Sequence, residues 1–261
     1  MGEAEVVGVL RSVGVLGAVE WAYDSAVSRA LNDYAPRAGY DEQWLGQSRY
    51  VLFRDRLDRV FGCVDYVVGP GDEHLGRDEL YAELTDGDIT SMPSLAAGTV
   101  QRKDLNSSPG WVYGDWRLLL TSGDFGRLQR IPWAQKSPTK QAVARQSGRT
   151  DPQQGVLFDA AELLNHPEPT VDLDLHTFVI AHALHPVTHQ TELAIGLPRR
   201  SDRGGGSWHW LRYLKTRPHG AEDWNDGIAP PSGPAVPVTD PVVKRRTHGA
   251  ERANDRASDE R

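Results

Sequence analysis

Residues 170–198 read TVDLDLHTFVIAHALHPVTHQTELAIGLP, and this stretch decides the fold. Phe178, Ile180 and Ala181 to Leu184 form an apolar run bearing residues that suit a pleated surface. His185-Pro186-Val187-Thr188-His189 has the polar, proline-bearing composition of a turn. Beyond it Leu193, Ile195 and Leu197 fall on alternating positions, the period of a strand with one buried face. The segment therefore predicts an antiparallel hairpin. Pro198 and Arg203-Gly204-Gly205-Gly206 make the next loop, and Trp208, Trp210 and Leu211 to Leu214 predict a third antiparallel strand.

Working outward, Trp111 to Leu120 predicts a strand pair or one bent strand, with Gly114 as the break. Asn106-Ser107-Ser108-Pro109-Gly110 is a strong turn signal within a loop-like 93–110. Cys63 to Val68 reads as a short strand closed by Gly69-Pro70-Gly71, and a short helix is expected around Asp78 to Leu84.

The first third reads as helix. Over 4–34, Val6, Leu10 and Val13 lie on one stripe, followed by Leu16, Tyr23, Val27 and Leu31. Gly8, Gly14 and Gly17 each cost about 1 kcal/mol against Ala in a helix interior, and are read as marks of close helix–helix contact. Pro36 ends the run. Over 40–62, Tyr50, Phe53, Leu57, Val60 and Phe61 recur at helical spacing, and Gly62 is the expected C-cap. The pairs Arg54/Asp58 and Asp55/Arg59 sit four residues apart and read as a solvated face.

From Pro218 onward proline, glycine and charge dominate, too few apolar groups to offset the entropy of ordering, so 218–261 is expected to be a disordered tail. The reading is an α+β protein. A helical lobe, 1–62, packs against a mostly antiparallel sheet lobe, 63–217, in one shared core, followed by the tail.

The 261 residues suffice for a sizeable core, with 39% hydrophobic and 25% charged residues. A net charge of -7 argues against a binder that is basic throughout. One cysteine, Cys63, excludes an internal disulfide and fits a reducing compartment; its apolar setting reads as a buried, inert thiol. Glu3 and Glu5 stand where a secretory leader would be positive, and Arg11 interrupts the apolar run. No 18-residue uncharged apolar stretch exists. The expectation is a cytoplasmic protein that avoids the membrane.

Against that acidic background, Gly126 to Thr150 (GRLQRIPWAQKSPTKQAVARQSGRT) holds Arg127, Arg130, Lys136, Lys140, Arg145 and Arg149 with no Asp or Glu between Asp124 and Asp151. Cationic forks and interleaved hydroxyls and amides match phosphate oxygens, and Trp133 offers a face for stacking a base. Ser137-Pro138-Thr139 predicts a helix start, a place that favours anions. Arg199, Arg200 and Arg203, ahead of three glycines, are a second group of phosphate donors in a loop that is neither a P-loop nor a dinucleotide fingerprint. The plain alternative is a surface loop whose cations complement acidic stretches such as Asp72 to Glu83.

The leading functional expectation is thus an intracellular polyanion-binding protein, with nucleic acid as partner. One alternative is a metal-dependent nuclease or phosphohydrolase built on Asp172, Asp174 and His176 or His182, since alternate strand carboxylates can hold Mg²⁺. Another is an interaction or assembly subunit using the glycine-bearing first helix and the tail, as a homo-oligomer or with a protein partner. No catalytic residue is assigned, and no cofactor or metal site is expected: H-E-x-x-H, H-x-H, Cys/His and G-x-S-x-G patterns are all missing.

Overall fold

The computed structural model describes residues 2–67, 76–146, 173, 175–200 and 206–215. The expected tail, 218–261, lies outside these residues, as do Arg149, Asp172, Asp174 and Arg203.

The helical lobe begins with α1 (Glu3–Ser12) and α2 (Val15–Asp33). The single helix expected over 4–34 is divided because Gly14 takes a left-handed φ of 82°, which breaks the hydrogen-bond ladder and bends the pair by 77°. The three glycines do not mark helix–helix contact. A Cβ at Gly8 or Gly17 would meet nothing within 4 Å, and one at Gly14 would only just reach Leu95. Among the described residues no single helix is long and apolar enough to cross a membrane.

Helix α3 (Glu42–Val60) is capped by Asp41, whose carboxylate accepts the Trp44 N–H at 2.7 Å. Gly62, at φ 60°, closes its other end and donates its N–H to the Arg59 carbonyl. The expected strand from Cys63 is instead a 3-10 turn, Val64–Tyr66. Gly62 reverses the chain there, and the Tyr66 hydroxyl is held to the Asp55 carboxylate at 2.6 Å, so the segment folds back on α3. Two short helices follow, α4 (Gly76–Tyr81) and α5 (Asp86–Ser91), the latter opened by a Thr85/Asp88 capping box.

The sheet has six strands in sequential order: β1 (Gln101–Arg102), β2 (Gly110–Tyr113), β3 (Trp116–Ser122), β4 (His176–Leu184), β5 (Thr191–Pro198) and β6 (Trp208–Tyr213). The break at Gly114 is the turn of the β2–β3 hairpin, and the 176–198 hairpin pairs Ile180 with Ile195 and His182 with Leu193. All neighbours run antiparallel except β3 and β4, which are parallel with Leu118 beside Phe178. Helix α6 (Pro138–Arg145) lies in the excursion between those two strands and starts, as expected, at Ser137-Pro138.

Both sheet faces are covered. Leu118, Leu120, Phe178, Ile180, Leu193 and Ile195 pack with Val6, Leu16, Phe53 and Leu57 of the helices. Leu119, Val179, Ala181 and Ala194 face the other way, onto Leu128, Ile131, Trp133 and Val143. A strand buried on both faces reads as a continuous apolar run, which is why β4 lacks clean alternation.

The charged run of α3 is not a solvated face. Arg56, Asp58 and Arg59 are all buried. Asp58 accepts from the Arg102 Nη1 through both oxygens at 2.6 Å and from the Trp111 Nε1 at 2.9 Å, while Arg59 donates to the Glu79 and Leu80 carbonyls at 2.9 and 2.6 Å. Burial pushes the Asp58 carboxyl up, opposed by Arg102 and the Trp111 N–H. Removing one member of such a pair strands the other, so Asp58→Ala is expected to cost about 3–5 kcal/mol in urea denaturation.

Candidate functional site

The basic segment crosses the sheet face opposite the helices, through 3-10 turns at Leu128–Arg130 and Trp133–Gln135 and then α6. Its apolar residues are its anchors: Leu128, Ile131, Trp133, Val143 and Ala144 are buried. The stacking role expected of Trp133 is therefore corrected. Its ring is 3% exposed, packs edge-on against Trp208 at 5.0 Å, and donates Nε1–H to the Ser207 carbonyl at 2.5 Å.

The second basic loop joins the first. Trp208 donates Nε1–H to the Leu128 carbonyl at 2.7 Å, and the Arg200 N–H reaches the Ala144 carbonyl at 2.8 Å. Arg199 donates its N–H to the Ser207 carbonyl at 2.9 Å. Gly196 beneath has no room for a side chain: a Cβ there would come within 2.7 Å of the Trp208 ring. Residues 127–146, 199–200 and 206–208 thus form one layer. Arg127, Arg130, Arg145 and Arg199 are exposed on it and Arg200 is half-buried.

Lys136 and Lys140 behave differently. Both are half-buried, and Lys136 Nζ donates to the Ser122 carbonyl at 2.8 Å, at the end of β3. Burial lowers the Lys136 ammonium, with Asp124 opposing. Burial first, and then Lys136, bring Lys140 down to about 8. These two cations face inward, towards the carboxyl end of the parallel strand pair.

A buried polar group lies at that same end. His182 is wholly buried, its ring 5.5 Å from Tyr23, 5.3 Å from Phe53 and 6.3 Å from Tyr50. Neither of its nitrogens has a hydrogen-bond partner, nor have the Arg49 Nε and the Thr121 hydroxyl. Tyr23 is anchored, its hydroxyl donating to the Ala183 carbonyl at 2.6 Å. The imidazole is held neutral, first by burial and then by the charges of Arg49, Lys140 and Lys136. Tyr23 and Arg49 were not legible as members of this group. Tyr23 lay on an ordinary apolar stripe, and no pattern around Arg49 signals burial.

The histidines do not converge on a metal. His176 and His182 share a face of β4, but six residues separate them by roughly 20 Å at about 3.3 Å per residue. His176 is exposed, and His185 is occupied in its turn, its Nδ1 accepting the Val187 and Thr188 N–H groups at 3.2 and 3.0 Å. Among the described residues no group of three His, Cys, Asp or Glu side chains could hold an ion. Cys63 is buried and donates to the Val100 carbonyl at 3.5 Å, and burial first, then Asp58, push its thiol up to about 11, the setting of an inert cysteine.

No family model matches the chain, and neither a curated protein nor a solved structure is similar to it.

His182 makes a pH prediction. A histidine lowered on folding is protonated in the unfolded chain below about 6.5 but stays neutral in the folded one. Stability is then fully present above that pH and falls as the pH drops below it, by at most about 1.4 kcal/mol per pH unit. Denaturation of the wild type and His182→Phe between pH 7 and 5 should show this slope in the wild type and a flatter one in the variant.

Proposed function

We propose that this chain binds a phosphate-bearing polyanion, nucleic acid foremost, through the cationic layer formed by 127–146, 199–200 and 206–208. The observation that carries the reading is the set of hydrogen bonds from Trp133, Arg200 and Trp208 that ties two basic segments, far apart in sequence, into one surface. Arg127, Arg130, Arg145 and Arg199 are its exposed cations. Their guanidinium forks suit phosphate oxygens, and release of condensed counterions favours binding to a backbone of repeating phosphates.

With Trp133 withdrawn into the core, recognition rests on phosphates and not on stacked bases. Contacts of this kind position a nucleic acid without reading its sequence. Lys136 and Lys140, both half-buried, add positive potential beside the exposed arginines.

The test is retention of DNA and RNA on filters at two salt concentrations. Wild-type affinity should fall with salt, with a logarithmic slope of about -0.9 per duplex phosphate neutralised. Arg127→Glu/Arg199→Glu should weaken binding across sequences and flatten that slope. Equal retention by the wild type and this variant at both salt concentrations removes the proposal.

A further inference from the structure

A cavity of about 720 Å³ lies between the end of α3 and the segments that follow it. Its walls come from the last turn of α3, the Cys63–Val67 segment, α4, α5 and the chain from Met92 to Arg102. None of the described residues of the cationic layer lines it. The volume falls within the roughly 300–1,000 Å³ typical of small-molecule sites.

The chemistry of the wall selects the occupant. Val60, Phe61, Leu80, Ile89, Met92 and Leu95 are among the residues that line it. Among the described residues no Asp or Glu lines it, so a cation would find no counter-charge from them. Its two arginines are already committed. Arg59 pairs with the Asp55 carboxylate at 2.9 Å, donates to two backbone carbonyls and lies over the Tyr66 ring at 4.5 Å. Arg102 pairs with Asp58 and Asp104 at 2.6 and 2.5 Å. With Arg56 also paired to Asp55, the cluster sets three guanidinium groups against three carboxylates and leaves no excess positive charge for an anion. A neutral ligand avoids both penalties.

Two valines in the lining stay in water, Val64 at 55% and Val67 at 67% exposed. Apolar side chains left wet beside a concave apolar wall gain free energy when a ligand covers them. The wall is also held open by polar bonds that do not depend on an occupant: Arg59 fixes the end of α4, and the Trp21 Nε1 donates to the Asp88 carbonyl of α5 at 3.0 Å.

We infer that this cavity is a binding site for a neutral, largely apolar small molecule, separate from the polyanion surface. Cys63, the only cysteine in the chain, lines it and reports on its occupancy.

The experiment uses the full chain and two fluorescent probes, neutral 1-aminoanthracene and anionic 8-anilinonaphthalene-1-sulfonate. The neutral probe should bind saturably, one per chain, and more tightly than the anionic one. At ten times its dissociation constant it should slow alkylation of Cys63 about ten-fold, as mass action requires, followed with iodoacetamide at about pH 9 because the raised thiol reacts too slowly at neutral pH. Ile89→Trp, which fills the cavity, should abolish the fluorescence signal while leaving the thermal transition in place. Protection of Cys63 in the unaltered chain gives the same answer without any variant. Unsaturable fluorescence, unchanged alkylation, or preference for the anionic probe overturns the inference.

Discussion

The buried Asp58 carboxylate is the constraint on which the junction of helices and sheet depends. It sits near the end of α3 and accepts from Arg102 on β1 and Trp111 on β2, so one ion ties the helix to two strands. A carboxylate removed from water is costly unless its lone pairs are filled. Here three hydrogen bonds fill them, and the geometry that does so also sets how the helix meets the sheet edge. Arg59, one residue on, ties α4 to the same helix through the Glu79 and Leu80 carbonyls. The walls of the apolar cavity are thus built on the same charged turn of α3.

The second organising feature is the parallel pairing of β3 and β4 in a sheet otherwise antiparallel. Parallel neighbours cannot be joined by a tight turn, so the chain must leave the sheet at Ser122 and return at His176. Part of that excursion, including α6, covers the sheet face opposite the helices. The basic segment consequently has two jobs. Its apolar residues complete a core, and its cations are sorted by the side they fall on: Arg127, Arg130 and Arg145 outward, Lys136 and Lys140 half-buried beside the strand ends.

Much of the fold was legible because local rules sufficed. The 176–198 hairpin follows from a proline-bearing polar turn between two apolar runs, the break at Gly114 from glycine's access to positive φ, and the end of α3 from Gly62. The legible part of the candidate site was its charge, since an acid-free stretch of arginines and lysines needs no structure to be seen. Trp133 shows the limit. An indole in a basic segment serves equally as a stacking platform or as an anchor, and only the Ser207 carbonyl and Trp208, 74 or so positions along the chain, decide for the anchor. The charged face of α3 was misleading for the same reason, because i,i+4 pairing looks identical whether the pair meets water or a neighbouring strand.

What the sequence by itself determined is the helical character of the first third, the strands of 111–120, 176–198 and 208–213, and the place of the cations, all of them consequences of local periodicity, turn chemistry and charge. Only the tertiary structure decided which of those groups meet. It set β3 beside β4, drew Arg200, Ser207 and Trp208 against 127–146, withdrew Trp133, and enclosed His182 among Tyr23, Tyr50 and Phe53. Burial and partnership depend on contacts between residues distant along the chain, and no short stretch of sequence carries that information.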